Sequence, residues 1–216
     1  MKKMLFNKII AFLLIVNTSL FIITFSLSFV ILFRPFYYYQ INSLDLVNKT
    51  GYAYDEIKEA YDDTLDYLVF NKLFSTGNLK YSMEGKGHFK DCKVLFNLNF
   101  IVLGITGIIL IIKKIIFNKI ELFNFNISFW SSCLNLLLFL GIVTVSLIVG
   151  FDKCFDVFHK IFFTGKNDWL LNPDTDEIIK ILPEQYFMNV AILFISIVSL
   201  ISIVIIIREI YHKKIK

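Results

Sequence analysis

Four long apolar runs that carry no charged side chain constrain this 216-residue chain more than any other feature of its sequence. The runs cover residues 9–33, 94–112, 128–151 and 186–207. A helix of about 20 apolar residues crosses the roughly 30 Å hydrocarbon core of a bilayer, so each run is long enough to span a membrane once. Because backbone polar groups must be paired inside lipid, we predict an all-α membrane protein, a four-helix transmembrane bundle that forms a single integral membrane domain.

Basic residues stand before the first apolar run, as they do in a secretory signal peptide. The run is 25 residues long, however, and no small-x-small cleavage site follows it, so we interpret it as an uncleaved first helix. The composition agrees with this interpretation. Hydrophobic residues make up 56% of the chain and the mean hydropathy is +0.67, which excludes an ordinary soluble domain.

The distribution of lysine and arginine predicts the orientation. The N-terminal tail, the connector 113–127 and the C-terminal nine residues together hold ten of these cations in 32 residues. The two longer loops, 34–93 and 152–185, hold twelve in 94 residues and carry 16 carboxylates. Since short cytoplasmic segments are enriched in Lys and Arg, we expect both termini in the cytoplasm and both long loops outside, where they form a small outer domain. The net charge of +4 is therefore a topology signal and gives no reason to expect nucleic acid.

The apolar runs contain polar residues but no ionisable ones. Their asparagines are predicted to make hydrogen bonds between helices, and they are Asn17, Asn97, Asn99, Asn135 and Asn189. Ion pathways usually leave charged residues at membrane depth, so the sequence argues against a transporter, a pump or a channel.

The first long loop contains an amphipathic helix pattern. Ile57, Tyr61, Leu65 and Leu68 fall at positions i, i+4, i+8 and i+11, which predicts one apolar face, and the opposite face is acidic. We interpret the segment as a small helix that covers the mouth of the bundle. A lid that contacts substrate is the alternative.

The second long loop contains three carboxylates after a turn at Asn172 and Pro173, and they are Asp174, Asp176 and Glu177. They lack the glycine and the terminal glutamate of an EF-hand calcium loop. We predict instead that these acids cap a short helix that ends near Pro183.

Two histidines lie at the same predicted depth although they are far apart in sequence. His88 comes six residues before the second run, and His159 comes eight residues after the third. If both flanks continue as helix, each ring lies within roughly 9 to 12 Å of the hydrocarbon edge, at headgroup level. The helix around His159 has an apolar face typical of an interfacial helix, and the glycines Gly85 and Gly87 are expected to loosen the approach to His88.

A histidine pair at headgroup depth suits proton transfer during ester chemistry on a lipid. Imidazole takes and returns protons near neutral pH, and an aspartate stands three residues from each ring, Asp91 after His88 and Asp156 before His159. No G-x-S-x-G motif is present. A zinc site made of His88, Asp91 and His159 is an alternative, but its spacing matches no zinc signature, so we predict neither a metal nor a cofactor. Cys92 and Cys154 either pair as a disulfide or remain free thiols.

Several motifs resemble the lipoprotein intramolecular transacylase (Lit) family of Gram-positive bacteria. The segment His88-Phe89-Lys90-Asp91-Cys92-Lys93 is similar to its H-x-x-D-x-K element. Phe158-His159-x-x-Phe162-Phe163, followed by Trp169, Pro173 and LPEQYF, is similar to its second histidine motif, and Arg34 with Phe36-Tyr37 also resembles the family pattern.

The resemblance implies a multi-pass enzyme of the bacterial cell membrane that acts on diacylglyceryl lipoproteins. It would move the sn-2 acyl chain to the α-amine of the N-terminal cysteine, with membrane lipid as its surroundings and no cofactor. We expect His88 and His159 to be catalytic and Asp91 and Asp156 to orient them. The groups expected to stabilise an oxyanion or hold the glyceryl headgroup are Trp169, Lys93 and Arg34. A non-catalytic membrane scaffold and a lipid esterase are the alternative functions.

Overall fold

The computed structural model describes residues 2–117 and 126–215. Over these ranges the chain folds into nine helices, which confirms the all-α prediction. They are α1 (Lys2–Leu32), α2 (Arg34–Ser43), α3 (Leu46–Thr50), α4 (Tyr54–Phe70), α5 (Met83–Phe117), α6 (Ile127–Val149), α7 (Phe151–Phe162), α8 (Ile178–Ile181) and α9 (Glu184–Ile215). Residues 118–125, which include Lys119 of the predicted cytoplasmic connector, lie outside the described residues.

Four helices, α1, α5, α6 and α9, are long and apolar enough to cross a membrane. Their candidate spans are Met4–Leu32, Met83–Ile115, Ile127–Val149 and Glu184–Lys213. The start of α5 and the end of α6 differ from those of the second and third apolar runs, and these differences decide on which helix each histidine lies. Helix α5 begins at Met83, so His88 lies on the same continuous helix as the second run. Helix α6 ends at Val149, because Gly150 has a φ of 92° that continues no helix, and His159 therefore lies on a separate helix.

The described chain divides by its contacts into two units. The first unit comprises Met1–Val30, Asn99–Val145 and Ile192–Lys216, and the second comprises Ile31–Leu98 and Ser146–Ala191. In the first unit, Ile22, Phe139 and Val198 form an apolar core. Both histidines of interest belong to the second unit.

Hydrogen bonds between helices in the first unit involve three of the five predicted asparagines. The Asn17 side chain donates to the Thr106 carbonyl at 3.2 Å, and Asn99 donates to the Ser28 hydroxyl at 2.8 Å. The Asn135 side-chain oxygen accepts a hydrogen bond from the Ser19 hydroxyl. Polar side chains inside apolar helices thus find partners on neighbouring helices, which confirms the expected role for these three residues.

The second unit has a core of stacked aromatic rings. The Tyr37 ring lies 3.7 Å from that of Tyr61 and meets Tyr186 edge-on at 5.2 Å, and the Tyr37 hydroxyl donates to the Ile181 carbonyl at 2.9 Å. The predicted stripe of α4 is buried in this core, which confirms the amphipathic pattern. Asn189 joins α9 to α2 by donating to the Gln40 side chain at 2.6 Å.

The carboxylates of the second long loop cap a different helix from the one predicted. Helix α8 has no side-chain cap, whereas Asp176 Oδ1 accepts hydrogen bonds from the backbone N–H and the hydroxyl of Ser82, both at 2.8 Å. The Ser82 hydroxyl in turn accepts from the Gly85 N–H at 2.9 Å, as an N-cap residue does at the start of α5. Asp176 therefore caps the start of α5, which lies 94 residues away in sequence, and does not cap the short α8. The first N–H groups of a helix have no acceptor within that helix and need one from elsewhere.

Gly85 makes room for this cap and does not loosen the helix. A Cβ atom at this position would lie 2.1 Å from Asp176 Oδ1, a distance at which the carboxylate has to move. Both Gly85 and Gly87 lie inside the continuous helix α5, so the expectation that they loosen the approach to His88 is wrong.

Candidate active site

His88 lies in the second turn of α5 and is 7% exposed. The edge of its ring contacts Phe163, with ring centroids 4.7 Å apart. Its Nε2 atom lies 3.4 Å from the Cys92 sulfur, one helical turn later. Its Nδ1 atom is buried and has no hydrogen-bond partner within residues 2–117 and 126–215.

His159 lies in the last turn of α7 and is 8% exposed. Its Nδ1 atom lies 2.8 Å from the carbonyl oxygen of Phe155. A carbonyl can only accept a hydrogen bond, so Nδ1 carries the proton, and Nε2 holds the lone pair of the neutral ring. The Trp169 ring stacks on the imidazole at 4.8 Å with an angle of 27°. The backbone carbonyl thus fixes the tautomer of His159, and the indole packs against the face of its ring.

The two imidazoles lie side by side, with ring centroids 6.0 Å apart and an angle of 35° between their planes. Phe163 packs against both rings, 4.7 Å from His88 and 5.6 Å from His159. A reacting group placed between rings at this separation is within hydrogen-bond reach of both. The structure brings together two residues that are 71 positions apart, whereas the sequence predicted only that they share one depth.

Helix α7 presents an apolar face that no other described element covers. Its exposed apolar side chains are Val157, Phe158, Ile161 and Phe162, each at least 47% exposed. The charged side chains lie on the opposite face, and His159 lies at the border, turned inward. This pattern is typical of a helix that lies in a membrane interface with one face in lipid.

Neither aspartate occupies the expected orienting position. Asp91 forms an ion pair with Lys166 instead of contacting His88. Asp156 is exposed, and in the described chain it forms no hydrogen bond or ion pair with His159, whose Nδ1 is taken by the Phe155 carbonyl. Side chains three residues apart on a helix are near each other. Here each histidine is buried, whereas Asp156 is exposed and Asp91 is partly exposed.

The three expected oxyanion or headgroup candidates have their donor groups engaged elsewhere. Trp169 Nε1–H donates to the Lys166 carbonyl at 3.2 Å, and its ring serves His159 as a stacking partner. Lys93 donates to the Asn71 side chain at 2.9 Å and lies 4.3 Å from the Tyr67 ring centroid. The Arg34 guanidinium pairs with Asp62 at 2.8 Å and also with Asp66. Arg34 thus binds two acids of α4, and Lys93 binds Asn71, the residue that follows this helix.

Asp168, which the sequence analysis did not single out, lies beside the histidine pair. Its Oδ2 atom is 3.4 Å from the position of a Cβ atom built on Gly87, the neighbour of His88, and its charge acts on the His88 ring. Its Oδ1 atom is buried without a hydrogen-bond donor among the described residues. The one signal in the sequence was that Asp168 immediately precedes Trp169, a residue of the resemblance motif.

The cysteines and acids offer no alternative centre in the part of the chain that the structure describes. No three His, Cys, Asp or Glu side chains there are grouped to hold a metal, because Asp91 turns to Lys166. Cys92 and Cys154 are both free, Cys92 against His88 and Cys154 within 3.4 Å of the Ser146 hydroxyl, so the disulfide alternative is not formed.

Comparisons with known proteins agree on one family. Residues 12–187 match the family described as lipoprotein intramolecular transacylase Lit. No curated protein matched the sequence. Among solved structures, the membrane-integral lipoprotein intramolecular transacylase Lit of Bacillus cereus matches with a TM-score of 0.87 and 26% identity, over 97% of each chain.

Two variants of the Bacillus cereus protein match as well. One carries a histidine-to-arginine mutation and matches with a TM-score of 0.82 and 26% identity, over 97% of this chain and 93% of that one. The other carries a histidine-to-alanine mutation and matches with a TM-score of 0.74 and 24% identity, over 98% and 96%. With most of its length matched by the family, this multi-pass membrane protein belongs to the lipoprotein intramolecular transacylases of the Lit family.

Proposed function

We propose that His88 and His159 are the proton-transfer pair of this transacylase, which moves the sn-2 acyl chain of a diacylglyceryl lipoprotein to the α-amine of its N-terminal cysteine. Family membership supplies the reaction class, an acyl transfer within one lipoprotein. The observation that carries the assignment of residues is the 6.0 Å separation of two buried imidazoles. His88 Nδ1 has no hydrogen-bond partner among the described residues, and the bond of His159 Nδ1 to a backbone carbonyl leaves the lone pair on Nε2.

The chemistry needs two proton transfers. An α-amine has a pKa of about 7.7 to 8 and is mostly protonated at neutral pH, so one imidazole first takes a proton from the ammonium. The neutral nitrogen attacks the ester carbon, and a tetrahedral intermediate forms. Its C–O bond to the glycerol breaks as an imidazolium returns a proton to the leaving oxygen. The nitrogen loses one further proton to solvent and keeps one as the amide N–H. The products are an amide and a lyso-glyceryl group.

Both reacting groups belong to the same substrate molecule, so the enzyme needs no separate acyl donor. Its main contribution is to hold the amine against the ester carbonyl, since intramolecular reactions gain strongly from correct placement. The apolar face of α7 supports this proposal, because it would set His159 at the depth of a lipid ester.

We also propose that both termini lie in the cytoplasm and that the loops carrying the histidines lie outside, in the bacterial cell membrane. The crowding of lysine and arginine into the short segments supports this orientation. Alkaline phosphatase fused after residue 216 is expected to be inactive, and the same enzyme inserted after Thr50 to be active. The reverse pattern would contradict the orientation.

The proposed function is tested by lipopeptide mass spectrometry in a host that makes only diacylglyceryl lipoproteins. The wild-type protein should convert them to N-acylated lyso-forms, and His88→Ala and His159→Ala should abolish conversion at equal protein levels. His212→Ala is the matched control, because this histidine is exposed on α9, and it should retain activity. Release of free fatty acid without an N-acyl product would indicate an esterase. Unchanged lipoproteins with wild-type protein would indicate a non-catalytic scaffold.

A further inference from the structure

Asp168 has an unsatisfied carboxylate oxygen at the edge of the histidine pair. A buried acceptor without a donor is costly in a folded protein, and most such groups have a hydrogen-bond partner. Asp168 Oδ1 is one of the exceptions within the described ranges. At a candidate active site, an acceptor of this kind is where a ligand is expected to place a hydrogen-bond donor.

The charges around the pair indicate the sign of that ligand. Two carboxylates act on the His88 ring, Asp91 and Asp168. Asp91 has its own cation, because Lys166 forms an ion pair with it. Lys166 also lies within the electrostatic reach of Asp168, yet it leaves Oδ1 without a hydrogen bond. A cationic donor is therefore the ligand chemistry that Asp168 lacks.

We infer that Asp168 binds the α-ammonium group of the lipidated N-terminal cysteine. This inference rests on the proposed function, which supplies a substrate with one primary ammonium beside the reacting ester. Because that ammonium is largely protonated at neutral pH, it can donate a charge-assisted hydrogen bond to the free oxygen. Asp168 is then a substrate-binding residue.

The position of Asp168 suits the transfer that follows. Its Oδ2 atom lies 3.4 Å from where a Cβ atom on Gly87 would stand, and Asp168 is the chain neighbour of Trp169, on which His159 stacks. An ammonium held by this carboxylate lies next to the imidazole pair, which takes one proton from its nitrogen. The freed amine is then placed to attack the ester carbon, and the carboxylate helps to fix its orientation.

Asp168 also has an open approach. It lines a cleft in the second unit together with Ser82, Asn167, Leu171, Asn172 and Thr175. The peptide that follows the lipidated cysteine can leave the site along this cleft, whose wall combines polar side chains with Leu171.

The test uses two ligands that cannot react, ether-linked dialkylglyceryl lipopeptides with either a free or an N-acetylated α-amine. Wild-type protein should bind the free-amine ligand at least about 10-fold more tightly, the scale of a hydrogen bond to a charged group. Asp168→Asn should bind both with similar affinity and keep the wild-type affinity for the acetylated ligand. Asp168→Glu, which restores the charge, should recover part of the preference. The matched control is Asp156→Asn, an exposed acid on α7, and it should keep the full preference.

Equal affinity of the wild-type protein for the two ligands would overturn the inference, even if the Asp168 variants failed to fold. A preference that persists in a folded Asp168→Asn protein would overturn it as well. Turnover of the ester substrate separates this failure from that of the proposed function. If wild-type protein forms lyso-lipopeptide while Asp168→Asn shows an unchanged KM, only the role of Asp168 is wrong. If wild-type protein forms none, the transacylase proposal itself fails.

Discussion

His159 Nδ1 lies 2.8 Å from the carbonyl oxygen of Phe155, one turn earlier on the same helix. Phe155 lies inside α7, and its carbonyl oxygen, which has two lone pairs, holds the imidazole in a defined tautomer. The backbone thus does for His159 what a carboxylate does in many catalytic histidine pairs.

Asparagine at position 159 separates this contact from catalysis. The amide N–H of His159→Asn falls near the position of Nδ1, so it can keep the bond to Phe155, but nothing replaces Nε2. We expect a loss of transacylase activity of at least about 100-fold. Thermal unfolding should show His159→Asn to be more stable than His159→Ala, since only alanine removes the side-chain hydrogen bond to this carbonyl. If both variants unfold at the same temperature, the contact contributes nothing to stability.

Asp91→Asn is expected to leave activity within a few-fold of wild type. The side chain pairs with Lys166, both groups are partly exposed at 24% and 49%, and such surface ion pairs contribute about 0 to 1 kcal/mol. Lipopeptide mass spectrometry at matched protein levels measures the effect. A 100-fold loss would mean that Asp91 orients His88 during turnover after all.

Gly85→Ala should destabilise the protein by about 1 to 3 kcal/mol, the cost of losing a buried hydrogen-bonded cap. The new Cβ would lie 2.1 Å from Asp176 Oδ1 and displace the carboxylate from Ser82. Thermal unfolding in detergent measures the change. The control is Gly104→Ala on the same helix, where a Cβ meets nothing within 4 Å, and its unfolding temperature should not fall.

The ion pair of Arg34 with Asp66 should stabilise the folded protein at neutral pH and lose this effect at acid pH. A hydrogen bond from Lys72, with further help from Arg34, holds the pKa of Asp66 below its usual value despite burial. A carboxyl group whose pKa is lower in the folded state stabilises that state above about pH 4, and this stabilisation is lost as the pH falls through the folded value. Arg34→Met should therefore lower the Tm at pH 7 and lower it less at pH 3. An equal difference at both pH values would contradict this assignment.

The helices and the histidine pair could be predicted because their signals are local. An apolar run announces a span by its own length, and the distance of each histidine from a run sets its depth. The two rings then had to lie in one layer, and the structure places them 6.0 Å apart.

The partners of the site could not be predicted, because they depend on contacts between distant segments. Asp176 caps a helix whose first residues lie 94 positions earlier, and Lys166 competes for Asp91 across 75 positions. Helical spacing predicted that Asp156 would orient the His159 ring, but the Nδ1 atom of His159 bonds to the Phe155 carbonyl instead. Asp168 carries no periodic or motif signal of its own.

The apolar face of α7 has a kinetic consequence. An enzyme whose histidine-bearing helix lies in lipid meets its substrate by lateral diffusion in two dimensions. Its rate then depends on the concentration of substrate in the membrane and not on that in the bulk solution. We expect the rate to follow the mole fraction of lipoprotein in the bilayer. Adding inert phospholipid to vesicles at constant total substrate should slow turnover, as surface dilution does, whereas adding buffer should not.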